Sequence, residues 1–123
     1  MGKFRVLLVD DEEELVKALA ERLEIRKLSC QIALNGEEAL RIVEDSPPDV
    51  MVLDLKMPGM DGMEVLRRVK KSHPEIEVLI LTGHGSESDE QIARRLGAFD
   101  YLQKPVDIRE LVSALERAYG AKS

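Results

Sequence analysis

Three aspartates, a threonine and a lysine each follow a short run of strand-like residues in this sequence, a placement that could gather them at one site. Val6 to Val9 runs into Asp10-Asp11, Val50 to Leu53 into Asp54, Val78 to Leu81 into Thr82, and the weaker run Asp100 to Gln103 into Lys104-Pro105. Carboxylates gathered in one place repel one another, so their ionised forms need a cation or a proton. Magnesium (Mg2+) suits such a set, because it takes oxygen ligands and is commonly held by one or two carboxylates together with a phosphate oxygen. A carboxylate such as Asp54 can also attack phosphorus to give an acyl phosphate. Lys104 could then pair with one phosphoryl oxygen while the Thr82 hydroxyl hydrogen-bonds another. Zinc has no comparable set, since His73 and His84 have no cysteine or second histidine at ligand spacing.

Taken singly, these residues have plainer readings. Thr82 could merely end a strand, and Asp10-Asp11 could merely start a helix. What joins them is the order of elements. The runs Val6 to Val9, Val50 to Leu53 and Val78 to Leu81 are continuously apolar, as strands buried on both faces are, whereas Ser29 to Ala33 is mixed and Asp100 to Gln103 suits an edge. Between them lie segments of helical spacing: Leu15, Leu19 and Leu23; Ala39, Leu40 and Val43; Met63, Leu66 and Val69; Ile92, Ala93 and Leu96. The last helix carries Ile108, Leu111, Val112, Leu115 and Ala118 on one stripe, with Asp107 at its N-cap. Asn35-Gly36 and Asp61-Gly62 mark earlier helix starts, and Ser46-Pro47-Pro48 reads as a turn. Strand and helix alternate five times, which requires parallel strands, right-handed crossovers and helices on both faces: an α/β doubly wound sheet. All the strand ends then lie on one edge, the carboxyl edge, where such sheets build their sites.

At 123 residues with 44% hydrophobic content and no composition shift, the chain reads as one domain over 1–123, with 1–4 and 120–123 expected to be flexible ends. A formal net charge of -6 argues against a sequence-independent grip on nucleic acid or an anionic membrane. The one cysteine, Cys30, cannot form an internal disulfide, and no segment has the length and apolar continuity of a signal peptide or membrane span. A cytoplasmic setting is the expectation.

The motifs Val6-Leu-Leu-Val-Asp-Asp-Glu12, Leu53-Asp-Leu-Lys-Met-Pro-Gly-Met-Asp-Gly62, Leu81-Thr-Gly-His84 and Gly97-Ala-Phe-Asp-Tyr-Leu-Gln-Lys-Pro105 together resemble the receiver domains of two-component response regulators, over essentially the whole chain. The resemblance implies a flavodoxin-like (βα)5 fold with strand order 2-1-3-4-5. It implies that Asp54 is the phosphorylation site and that Asp10 and Asp11 position Mg2+ with the backbone carbonyl of Lys56. Thr82 and Lys104 would contact the phosphoryl group, Tyr101 would be the switch aromatic, and Lys104-Pro105 would be a cis peptide. Lys56 and His84, two residues beyond Asp54 and Thr82, fall where the family tunes the lifetime of the acyl phosphate. The implied partners are a sensor histidine kinase or phosphotransfer protein and a downstream effector or effector domain. The surface that responds would be the fourth helix, fifth strand and fifth helix, carrying Glu87, Asp89, Glu90, Arg94, Arg95 and Arg109, with a homodimer as one form of output. Such a domain is not a turnover enzyme, although it catalyses its own phosphorylation and dephosphorylation.

Two other readings remain at this point. A phosphohydrolase with an aspartyl nucleophile would need a second aspartate two positions after Asp54, where Lys56 stands. An interaction module that keeps the fold without the chemistry would be free to lose one of Asp10, Asp11, Asp54, Thr82 or Lys104, and all five are present.

Overall fold

In a computed structural model, which describes residues 4–83 and 85–122, the chain alternates strand and helix throughout. The elements are β1 (Arg5–Val9), α1 (Glu13–Ile25), β2 (Ser29–Ala33), α2 (Gly36–Asp45), β3 (Val50–Leu53), α3 (Gly62–Ser72), β4 (Glu77–Thr82), α4 (Glu87–Arg95), β5 (Asp100–Gln103) and α5 (Ile108–Gly120). The strands form one parallel sheet in the order β2-β1-β3-β4-β5. The doubly wound fold is the one expected from the residues, and the strand order is the one that the family resemblance implies.

Side chains alternate across a strand, so the continuous apolar runs feed two cores. Val6, Leu8, Val50, Val52, Leu79 and Leu81 join the layer under α1 and α5; Leu7, Val9, Met51, Leu53, Val78 and Ile80 join the layer under α2, α3 and α4. All four residues of β3 are buried and the strand pairs on both sides, with Val9 opposite Leu53 and Leu53 opposite Ile80. Burial of each such side chain contributes roughly 2 kcal/mol, which fixes the strand ends where the site is built. β2 and β5 form the edges and are only partly buried.

The helix starts follow their caps. Asn35 Oδ1 accepts from Glu38 N–H at 2.8 Å, Asp61 Oδ1 from Met63 N–H at 3.1 Å, and Asp107 Oδ1 from Arg109 N–H at 2.7 Å. Ser86 and Asp89 exchange bonds at the start of α4. Glu12, the N-cap of α1, is the exception, since its side chain makes no cap bond. At the amino edge of the sheet Phe4 is buried, and its ring stacks on Tyr119 of α5 with centroids 4.4 Å apart. None of the described helices is long and apolar enough to cross a membrane.

The end of α1 is closed by a Schellman-type turn. Leu28 N–H donates to Leu23 carbonyl at 3.2 Å and Lys27 N–H to Glu24 carbonyl at 2.9 Å. Lys27 holds a φ of 72° in the left-handed region, where glycine is the unstrained residue. Lys27→Gly is therefore expected to raise stability by up to about 1 kcal/mol, the gain in strain relief being partly offset by unfolded-state entropy; a urea midpoint that stays or falls contradicts this. Cys30 on β2 is half-buried, and burial, with the Glu24 carboxylate adding to it, pushes its thiol up to about 12. A thiol raised in this way is almost entirely protonated at pH 8, so iodoacetamide should label Cys30 far more slowly in native than in urea-unfolded protein. Equal rates would contradict the assigned burial.

Candidate functional site

Four strand ends converge at the carboxyl edge. Asp10 follows β1 and its N–H donates to Ala33 carbonyl at 3.1 Å; Asp54 follows β3 and donates to Val9 carbonyl at 3.0 Å. Thr82 closes β4 and is fully buried, and its carbonyl accepts from Lys104 N–H, just past β5, at 3.0 Å. The main chain thus carries the ladder one step beyond the strands, so each functional residue inherits the rigidity of the sheet. Asp10 and Asp54 are each only 4% exposed. Their carboxylate oxygens and one of Asp11, which is exposed, all lie within 4.8 Å of one another, an acidic cluster that could hold a metal ion.

Lys104 Nζ lies among these carboxylates, 2.6 Å from Asp10 Oδ2, 2.7 Å from Glu12 Oε1 and 3.6 Å from Asp54 Oδ2. Burial alone would lower the lysine pKa, but the hydrogen bonds to Asp10 and Glu12 outweigh it and hold the ammonium above its ordinary value. Asp10 shows the opposite balance: burial raises its carboxyl above the usual range, although the bonds from Lys104 and from Glu12 N–H work against the rise. Asp10 Oδ1 accepts that Glu12 N–H at 2.9 Å. The Lys104-Pro105 peptide is cis.

The loop after β3 is drawn close to Asp54. Lys56 N–H points to Asp54 Oδ1 in a long contact of 3.4 Å, and the Lys56 side chain is exposed. The Lys56 ammonium adds a small share to the field that holds the Asp89 carboxyl low, the main part coming from Ser86 N–H. Gly62 lets this loop return: a Cβ there would sit 2.4 Å from Asp54 carbonyl and 2.6 Å from Leu55 Cα.

Tyr101 on β5 is half-buried with its ring directed inward. A Cβ on Gly85 would stand 1.5 Å from the Tyr101 hydroxyl and 3.0 Å from Thr82 Cγ2, so the missing side chain of Gly85 makes the room that the phenol occupies beside Thr82. Burial pushes the phenol pKa up, and its hydroxyl is buried with no hydrogen-bond partner among the described residues. On the outer face of α4, β5 and α5, Arg94 pairs with Glu90 at 2.9 Å and with Asp100 at 3.2 Å, while Arg117 reaches Asp100 at 3.5 Å.

The five residues that the sequence marks at strand ends are therefore all at this edge, with Asp10, Asp11, Asp54 and Lys104 in one charged cluster and Thr82 beside Tyr101. His84 lies outside the described residues. Glu12 as a partner of Lys104 was not anticipated; the signal was the third acidic residue of Asp10-Asp11-Glu12. The roles of Gly62, the first residue of α3, and of Gly85 were also missed, because a glycine does not announce what approaches it.

The model of the response regulator receiver domain matches residues 6–116. The chain belongs to that family. Among relatives of this receiver domain, the DNA-binding transcriptional regulator NtrC of Escherichia coli K12 is 41% identical over 113 residues, which is 92% of this chain and 24% of NtrC. The transcriptional regulatory protein CpxR of the same organism is 40% identical over 114 residues, 90% of this chain and 47% of CpxR. The chain thus spans between about a quarter and about half the length of these relatives. A CheY-like receiver domain from Methanospirillum hungatei JF-1 superposes with a TM-score of 0.95 at 26% identity, covering 98% of this chain and 97% of that one. A receiver domain from Clostridium thermocellum gives 0.90 at 38% identity, covering 96% and 95%. Receiver domains are signalling domains of two-component systems.

Tyr101→Phe removes a buried hydroxyl that has no described partner, so it is expected to leave stability unchanged or raise it by up to about 1 kcal/mol. Gly85→Ala should drive the ring outward while the fold persists, since the obstructed atom is the far end of a side chain that can rotate. Tyr101 ring resonances moving to solvent-exposed positions in the alanine variant would bear this out; a Phe variant losing several kcal/mol would contradict it.

Proposed function

We propose that this receiver domain is a phosphoacceptor switch in which Asp54 takes a phosphoryl group from a phosphohistidine of a sensor histidine kinase or phosphotransfer protein. The observation that carries the reading is a buried carboxylate at the end of the central strand, with the Asp10 and Asp11 carboxylates within 4.8 Å and the Lys104 ammonium at 3.6 Å. An Asp54 oxygen attacks phosphorus, the P–N bond to the donor imidazole breaks with its electron pair going to nitrogen, and an acyl phosphate forms. Lys104 neutralises charge on the phosphoryl oxygens, and the Thr82 hydroxyl hydrogen-bonds one of them.

The donor set fits magnesium, because three carboxylates within 4.8 Å offer the hard oxygens that ion prefers. Asp10, Asp11 and Asp54 would hold it, with the Lys56 backbone carbonyl as a further ligand. When bound it supplies positive charge to the carboxylates and to the phosphoryl oxygens. The exposed Lys56 ammonium governs how water reaches the acyl phosphate.

The bond from Thr82 to the phosphoryl group biases a two-state equilibrium, and Tyr101, packed against Thr82, carries the change to the α4–β5–α5 face. The ion pairs of Arg94 and Arg117 to Asp100 lie on that face and are exposed enough to rearrange at little cost. A downstream effector or a second copy of the domain reads it, in the cytoplasm. Relatives named as transcriptional regulators support an effector as the recipient.

Incubation with acetyl phosphate, read by intact mass, is the test. One phosphoryl group should be gained only with magnesium present, and Asp54→Asn should gain none. Folded protein that gains nothing, or an Asn variant that gains the group as readily, would overturn the proposal.

A further inference from the structure

Glu12 is the N-cap of α1, yet its carboxylate leaves the helix N–H groups and reaches Lys104, 92 residues away in sequence, at 2.7 Å. The N-cap side chains of the other four helices, Asn35, Asp61, Ser86 and Asp107, all bond their own helices. An ammonium has three N–H groups. At Lys104 two of them are committed to Asp10 and Glu12, and Asp54 at 3.6 Å is left beyond hydrogen-bonding distance. The lysine therefore rests on the Asp10 side of the site, away from the carboxylate whose phosphoryl group it must meet.

We propose that Glu12 is a positioning residue, a latch that holds Lys104 off Asp54 in the resting state and competes with the phosphoryl group for it afterwards. The inference rests on the phosphoacceptor reading of Asp54. Of the two partners Glu12 is the one that yields: its side chain is 60% exposed and returns to water easily, whereas Asp10 is 6% exposed and further tied by Glu12 N–H. Glu12 also lines a groove of about 460 Å³ with Leu15, Leu19, Arg22, Pro105 and Val106, so the latch sits where the site opens onto the face of α1. Lys104 lines the same groove, so a molecule bound there would touch both members of the latch.

Neutralising Glu12 removes the competing charge but keeps its shape. In Glu12→Gln the acyl phosphate formed from acetyl phosphate should persist about two- to fivefold longer, and the phosphoryl analogue beryllium fluoride should bind more tightly by a similar factor, the scale expected for a partly exposed ion pair. The Lys104 Cε and Hε resonances of the resting protein should shift, while the thermal midpoint stays within a degree or two. Glu13→Gln, which removes an equal charge paired with Lys17 at the same helix start, should leave lifetime and beryllium fluoride affinity unaltered. A Glu12→Gln variant with parental lifetime and affinity overturns the latch alone, as does a Glu13→Gln effect of equal size, which would mean bulk charge. A parental protein that takes up neither phosphoryl group nor beryllium fluoride overturns the phosphoacceptor reading beneath it, and the latch with it.

Discussion

Asp10 and Asp54 are held nearly inaccessible to water with their oxygens within 4.8 Å of each other, and the Lys104 ammonium is what makes that tolerable in a folded chain. Two like charges about 5 Å apart cost on the order of 3 kcal/mol at an effective dielectric of 20, before the cost of burial, which for Asp10 shows as a raised carboxyl pKa. Residues 94 apart in sequence meet here, so only the register of the sheet can keep them together. The two cores serve that end: with both faces of β1, β3 and β4 covered, the strands cannot slip, and a one-residue slip would turn every side chain to the wrong layer.

The same alternation decides which way the site looks. Asp10 and Asp54 continue the rows of Val6 and Leu8 and of Val50 and Val52, toward α1 and α5, and they line a small cavity with Val16 and Leu19. Thr82 continues the row of Val78 and Ile80, toward α4. A group that engaged both Asp54 and Thr82 would span the two sides of the sheet, and the Tyr101 ring beside Thr82 would feel a change made at the carboxylates.

Much of this was legible in the residues. Val50 to Leu53, like Val6 to Val9 and Val78 to Leu81, read as a strand buried on both faces, which put its successor Asp54 at the mouth of the sheet. The weak run Asp100 to Gln103 read as an edge, whereas Ser29 to Ala33 read only as mixed and its edge position came with the strand order of the family. What stayed hidden depends on approach in space. The third acidic residue of Asp10-Asp11-Glu12 was the one hint of a partner for Lys104, and nothing in a linear pattern says that Gly85 leaves room for a phenol or that Gly62 lies against the backbone of Leu55. Phe4, read with the loose ends, is instead buried because a ring on the far helix happens to cover it.

That stacking of Phe4 on Tyr119 brings the start of β1 beside the last turn of α5, at the edge of the sheet opposite the carboxylates. The polypeptide therefore enters and leaves the domain through a common doorway on the side remote from its chemistry. Joining residues 4 and 119 through a short bridge and opening the chain in a loop elsewhere, a circular permutation, would keep every strand neighbour and the whole charged edge. For the same reason a neighbouring domain tethered at this doorway would hang from the base of the sheet, at the far end from Asp54.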